Sequence, residues 1–369
     1  MMTHEERCAK MLEAIDKFAF EGEMIDYAPF GNGHINDTFV VNMKEGHRYI
    51  LQRINHDIFK KPWEQMDNIE NICAFLRKKI EAAGGDPDRE TMNIVKAYDG
   101  KNYYQDSIGS YWSAYLFIEG AATYDLPETP EDFYQSGVGY GRFQKLLADY
   151  PAETLYETIA GFHDTPKRFE RFKEVVALNP MGRAKEVQEE IEFVLAHEAD
   201  CHVLHDLNKA GKLPLRVTHN DTKLNNIMLD NKTRKALCVI DLGTVMPGFL
   251  VNDFGESIRF GAATSVEDEP DLSKMNFDLE LFDIFAKGFL GECGDIMNDC
   301  EFDMLPMGSK IMTFENGMRF LTDYLEGDVY YRIHYPEQNL NRCRTQFKLV
   351  RDMEENWDAM HKVISKYRK

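Results

Sequence analysis

Cysteine is sparse and poorly placed for cross-linking. Cys8, Cys73, Cys201, Cys238, Cys293, Cys300 and Cys343 are odd in number, widely spaced, and include no C-x-x-C pair. That usage fits reduced thiols rather than a disulfide framework. Long apolar runs are also missing: nothing approaches the roughly 18 uninterrupted apolar residues that a membrane span needs. The opening Met1-Met2-Thr3-His4-Glu5-Glu6-Arg7 is charged and lacks an apolar core, so no secretory leader is expected. These absences give a cytoplasmic expectation, with no membrane partner. Positive charge is short as well, with 43 Lys and Arg against 63 Asp and Glu, a net −20. Such a balance opposes binding to nucleic acid or to an anionic membrane. There is no G-x-S-x-G, so serine-hydrolase chemistry finds no support. Repeats and low-complexity tracts are absent, and nothing demands more than a monomer.

What is present is a globular composition, 43% hydrophobic over 369 residues, enough for a large core and two lobes. Residues 4–19 repeat Met11, Leu12, Ile15, Phe18 and Ala19 at helical spacing. Short β-prone runs follow at Thr38–Val41, Tyr49–Leu51 and Tyr111–Ile118. A helical stretch from Trp63 to Ile80 interrupts them, with Ile69, Ile72, Cys73 and Leu76 as its stripe. Beyond Glu119 helical patterns dominate, at about 130–148, 184–210, 277–291 and 341–366. The expected class is α+β: a small β-rich N-terminal lobe over 1–118, a hinge near Tyr115–Glu119, and a larger helical C-terminal lobe over 119–369.

The larger lobe carries His219-Asn220-Asp221-Thr222-Lys223-Leu224-Asn225-Asn226 and, after the apolar run Ala236–Ile240, Asp241. An Asp, an Asn five residues on, and a second Asp closing a strand form a minimal kit for phosphoryl transfer. That reaction asks mainly for alignment and charge neutralisation. Asp221 would hold an attacking hydroxyl and accept its proton. Asn226 and Asp241 offer a neutral and a charged oxygen to magnesium, which prefers hard oxygen ligands.

Other segments suit the same chemistry. Gly31-Asn32-Gly33, between two predicted strands, would let backbone N–H groups approach phosphates; an ordinary hairpin turn is the alternative. Asn36 in place of a third glycine, and the lack of a βαβ pattern, oppose a dinucleotide fold. Gln52 and Arg53 end the next strand, and alternation should send one of them into the cleft. Arg53 would balance phosphate charge, with Glu70 on the following helix to orient it; a surface ion pair is the alternative. Asp253-Phe254-Gly255 looks like the magnesium motif of protein kinases but lies further from Asp221 than Asp241 does. Asp253 is read instead as a helix cap and a prop for the catalytic loop. His197, Cys201 and His205 share a helix face, but ligands strung along one helix cannot surround a tetrahedral zinc.

These segments resemble the aminoglycoside phosphotransferase and choline kinase superfamily, and more closely the bacterial N-acetylhexosamine 1-kinases. The resemblance rests on Gly31–Asn36, Tyr49–Arg53, Phe162-His163-Asp164-Thr165-Pro166, Leu215–Asn226, Asp253–Gly261 and Gly317–Tyr330. It implies a protein-kinase-like two-lobed fold that uses ATP and Mg2+ to phosphorylate GlcNAc or GalNAc at the anomeric hydroxyl. Asp221 would face that hydroxyl as catalytic base, and Asn226 and Asp241 would hold magnesium. His34, Phe260, Arg319 and Tyr330 would line the sugar pocket. ATP would lie under Gly31, Asn32 and Gly33, near Gln52, Arg53 and Glu70, with adenine against Phe117 and Ile118. Gly243 departs from the pattern, because the closer relatives carry a second acid there, although antibiotic phosphotransferases also have glycine. The rival readings are a kinase of another small-molecule hydroxyl (another sugar, choline or an aminoglycoside), a non-catalytic nucleotide or sugar binder, and a protein kinase.

Overall fold

The computed structural model describes residues 4–31 and 36–368. Helix α1 (His4–Ile15) precedes an antiparallel sheet built from β1 (Met24–Pro29), β2 (Asp37–Met43) and β3 (Arg48–Ile54). After α2 (Pro62–Ala82) and the short α3 (Pro87–Glu90), the sheet gains β4 (Ile94–Val95), β5 (Tyr104–Gln105) and β6 (Tyr111–Leu116). The strand order is β1-β2-β3-β6-β4, with β5 paired to β6.

Alternation along β3 gives this sheet two faces. Tyr49 and Leu51 point outward and form a core with Met11, Ala14, Ile15, Phe18 and Trp112. Ile50 and Ile54 point the other way, toward α2. The first helix is shorter than its spacing predicts: at Phe18 the chain leaves the helix to bridge Ala97. Leu12 is exposed and Ala14 takes its place inside. Pro62 opens α2, where its fixed φ and missing N–H cost nothing.

The rest of the chain is mainly helical. It comprises β7 (Ala121–Ala122), α4 (Pro130–Leu146), α5 (Thr165–Leu178), α6 (Gln188–Ala196) and α7 (Glu198–Lys209). The strands β8 (Arg216–Thr218), β9 (Ile227–Asp230), β10 (Ala236–Val239) and β11 (Met246–Gly248) follow. Then come α8 (Leu250–Gly261), α9 (Leu279–Cys293), α10 (Asp299–Asp303), α11 (Leu305–Glu326), α12 (Gln338–Glu355) and α13 (Trp357–Ser365). The expected helix over 184–210 is broken at His197, and that over 341–366 at Asn356. Helix α11 was not anticipated because it is buried on nearly every side, which removes the one-sided period that betrays a surface helix.

A small antiparallel sheet beside a helical lobe is the kinase-like arrangement. The two parts are joined by apolar packing. Met66, Ile69 and Ile72 of α2 share a core with Phe143, Val217, Leu242 and Val245.

Helices α8 and α11 press together through glycine. A Cβ built on Gly255 would lie 2.2 Å from the Gly308 carbonyl oxygen, and one on Gly308 would lie 2.2 Å from that of Val251. Backbone cannot yield there as a flexible side chain would. Gly255→Ala should therefore lower stability by about 1–3 kcal/mol, read as a drop in chemical-denaturation midpoint. An unchanged midpoint would show that the helices can part freely.

Candidate active site

The loop 219–226 runs from β8 to β9, and Asp241 follows β10. Antiparallel pairing of Thr218 with Met246 and of Ile227 with Val239 brings the two segments to the same end of neighbouring strands. The Ile240 N–H donates to the Asn226 carbonyl at 2.9 Å, tying one to the other. Asn220 and Asp241 both adopt positive φ, 65° and 56°, a conformation that Asn and Asp tolerate better than most residues. Asn220 Nδ2 secures its own position by donating to the Thr244 carbonyl at 2.9 Å.

Asp253 anchors this loop. Its carboxylate accepts the N–H groups of His219 and Asn220, each at 2.8 Å, and Gln144 Nε2 at 2.7 Å. Its own helix begins at Leu250, so Asp253 does not cap it. It serves a loop distant in sequence instead.

Asp221 receives Asn226 Nδ2 at 3.2 Å and Lys223 Nζ at 3.0 Å. Asn226 Nδ2 also donates to the Asp221 carbonyl at 2.9 Å, which leaves Asn226 Oδ1 as the oxygen open to a cation. Enclosure raises the Asp221 pKa, but Lys223 and His219 overcome it, so the net shift is downward. Asp241 shifts upward through enclosure and the nearby Asp221 charge. Lys223 Nζ also lies 5.1 Å from the centre of the Phe260 ring, and the Arg259 guanidinium lies 3.8 Å from it. Lys223, two residues after Asp221, joins the site although its residue type alone does not single it out from the sequence.

Two sequence-based assignments need correction. Gln52 faces the cleft, where Asn36, Gln65 and Asp241 are also found. Arg53 therefore sits on the opposite face and pairs with Asp37 Oδ2, at 2.8 Å from Nε and 2.5 Å from Nη2. Glu70 pairs with Lys96 and accepts Asn102 Nδ2 at 2.8 Å. The expected Arg53–Glu70 pair does not form, because Arg53 leaves the sheet face turned away from α2, which carries Glu70. Phe117 lies edge-on to Phe30 and 3.8 Å from the Arg48 guanidinium, and Ile118 is buried. Gly31 has φ +75° with open space around it. Asn32, Gly33 and His34 lie outside the described residues.

Arg319 and Tyr330 line a separate pocket of about 280 Å³ with Arg168, Thr322 and Tyr331. Arg319 lies 5.6 Å from the Phe162 ring centre and 6.0 Å from that of Tyr330. Its Nη1 donates weakly to Asn316 Oδ1 at 3.4 Å, and it forms no ion pair among the described residues. His163 joins this pocket to the loop: Nδ1 faces Glu315 Oε1 at 2.9 Å and Nε2 faces the Asn220 carbonyl at 3.4 Å. Glu315 also accepts the Thr165 hydroxyl at 2.5 Å. Its place four residues before Arg319 on one helix was the available signal. The expected pocket is thus divided. Phe260 stands beside Asp221, while Arg319 and Tyr330 lie beyond His163.

His197, Cys201 and His205 behave as packed helix residues. His197 faces the Phe193 carbonyl and Glu354, and His205 faces the His163 carbonyl. Lys310 lies 2.7 Å from both Asp200 and Glu354, so the nearby carboxylates already have their cation.

Residues 26–281 match the family described as the phosphotransferase enzyme family. The chain belongs to that family. Three solved structures share the fold of this phosphotransferase. A microcompartment-associated aminopropanol kinase has TM-score 0.60 at 15% identity, with 96% of this chain and 98% of that one covered. The amicoumacin kinase hAmiN, in complex with AMP-PNP, Ca2+ and Ami, has TM-score 0.56 at 12% identity, with 96% of each chain covered. A choline kinase from Cryptosporidium parvum Iowa II has TM-score 0.54 at 13% identity and 93% coverage of each. No helix among the described residues is long and apolar enough to cross a membrane.

The donors of the phosphotransferase site fit a divalent cation. Asp241 lines the cleft, and the residue before it is bonded to Asn226, whose Oδ1 accepts no hydrogen bond among the described residues. Asp221 has Lys223 as its ion-pair partner, whereas neighbouring Asp241 has none among the described residues, so negative charge is left that a hard cation would offset.

Two measurements test this scaffold. Asp253→Asn weakens two buried charge-assisted bonds, so stability should fall by roughly 1.5–3 kcal/mol, with kcat falling more than nucleotide affinity. Equal kcat would mean that the loop holds itself. Burial raises Glu315, yet His163, Arg168 and Arg319 bring it from 4.5 to about 2. A lowered folded value stabilises above pH 4.5, and that contribution is lost as pH falls toward 2. Glu315→Gln should flatten that acid limb in denaturation curves taken across the window.

Proposed function

We propose that this phosphotransferase moves the γ-phosphoryl group of ATP, with magnesium, to the anomeric hydroxyl of an N-acetylhexosamine. The observation that carries the reading is Arg319. This guanidinium forms no ion pair among the described residues and stands among Phe162, Tyr330 and Tyr331, in a pocket that His163 joins to the Asp221 loop. A fork of donors beside aromatic faces suits an acetamido oxygen and the apolar side of a neutral sugar ring. Solved structures of the same fold include an aminopropanol kinase, an ethanolamine kinase and a choline kinase, so phosphorylation of a small-molecule hydroxyl is well supported. An ATP analogue and a divalent cation accompany the amicoumacin kinase, which supports the same requirements here.

In this reading Asn226 and Asp241 hold magnesium, whose charge offsets that of the phosphates. Asp221 orients the acceptor hydroxyl and takes its proton as the oxygen–phosphorus bond forms. Orientation matters more than basicity because the transition state is loose, which agrees with the lowered Asp221 pKa. Lys223 steadies Asp221 and places a cation where negative charge collects. Gly31–Gly33 and the hinge at Phe117 and Ile118 serve the nucleotide, His34 and Phe260 the acceptor, and residues 1–118 and 119–369 act as the two lobes.

A second reading, a kinase of choline, an aminoglycoside or another acceptor, meets an obstacle in Arg319 and Arg168. A cationic acceptor would be repelled there. A non-catalytic binder is opposed by the intact Asp221, Asn226 and Asp241. A protein kinase would use Asp253 for metal, and that carboxylate is spent on the loop.

The deciding assay is ADP release with an acceptor panel, with phosphorus NMR of the product. N-acetylglucosamine or N-acetylgalactosamine should give the 1-phosphate, and Asp221→Ala should be slower by about 10²–10⁴. Turnover with choline but not with either sugar would overturn the acceptor assignment. Full activity of Asp221→Ala would overturn the base assignment.

A further inference from the structure

The side chain that stands next to Gly243 is Gln65, in the first turns of α2. It is 2% exposed. Its Nε2 donates to the Gly243 carbonyl at 3.3 Å. Its Oε1 is buried and has no hydrogen-bond partner among the described residues. An orphaned amide oxygen is costly unless something meets it. The space it lines is also lined by Asp241, Gln52 and Asn36, and by no basic side chain.

Gly243 and the end of the Gln65 side chain compete for one volume. A Cβ placed on Gly243 would lie 2.5 Å from Gln65 Nε2 and 3.7 Å from Asp241 Oδ1. The amide therefore occupies the volume that a side chain at 243 would fill, and both it and Asp241 flank that point. Glycine at 243 lets the Gln65 amide sit there undisplaced.

Resting on the phosphotransferase reading above, we propose that Gln65 Oε1 is a ligand to a divalent cation held by Asp241. It would supply from α2 a neutral oxygen where an acid at position 243 would supply a charged one. Magnesium accepts amide oxygens and is bound less tightly as ligand charge falls. The site is therefore a weak cation site that fills when nucleotide phosphates add their own oxygens. The rest of the local machinery agrees, since Gln52 is neutral and Arg53 is turned away.

The test is Mn2+ binding followed by electron paramagnetic resonance on the full chain with AMP-PNP. Wild type, Gln65→Met, Gln65→Glu and Asp241→Asn are compared, and melting temperatures are recorded alongside. Gln65→Met should weaken Mn2+ binding by about tenfold and Gln65→Glu should tighten it by about tenfold, the span expected for changing one ligand or its close support. Asp241→Asn should weaken it further. Wild-type Mn2+ affinity in folded Gln65→Met, with no gain in Gln65→Glu, would overturn the proposal and leave the phosphotransfer reading intact. If Gln65→Met does not fold, Gln65→Glu decides alone: tighter binding supports the role and unchanged binding overturns it. Absence of any nucleotide-dependent Mn2+ binding in wild type would overturn both readings.

Discussion

Two backbone N–H groups of the 219–226 loop end on one buried carboxylate, that of Asp253, and much of the candidate site's geometry follows from this. With His219 and Asn220 fixed, Asp221 projects toward Lys223 and Asn226 rather than folding back. The Thr222 hydroxyl adds a bond to the Asp253 carbonyl, and Ser257 Oγ caps the Thr222 carbonyl. Helix α8 can offer these groups because glycine lets it lie against α11. Helix α11 in turn carries Glu315, Asn316 and Arg319. One close helix contact thus positions both the loop that bears Asp221 and the pocket beyond it.

The electrostatics are local. A net charge of −20 gives the whole surface the wrong sign for a polyanion, yet the cleft can host phosphates if a cation and a few nearby positive groups offset them. Lys223 is the cation that contacts Asp221. Arg259, sealed by Glu256 at 2.7 Å and Glu267 at 2.6 Å, is already committed and serves mainly to back Phe260. Arg319, which has no such partner among the described residues, differs from it in kind.

Much of this was legible in the chain. The spacing of Asp221, Asn226 and Asp241 picked out two segments that the fold does bring together, with the Ile240 N–H bonded to the Asn226 carbonyl and Asn226 Nδ2 to Asp221. Alternation along β3 told that only one of Gln52 and Arg53 could enter the cleft, but not which. That depends on the sheet's packing against α1, which no local pattern reveals. Asp253 was anticipated as a prop, but its reach to another loop, rather than its own helix end, is a tertiary fact. Helix α11 escaped notice since a fully surrounded helix has no polar side to set its period. The orphaned oxygen of Gln65 was invisible, because its meaning depends on a glycine far away in sequence.

Met66, Ile69 and Ile72 lie in the same apolar core as Phe143, Val217 and Leu242, so the boundary between the lobes is a seam only on the cleft side. Behind the cleft, neither half can melt without uncovering the other's interior. Denaturation should thus be cooperative across the whole molecule, one transition rather than two.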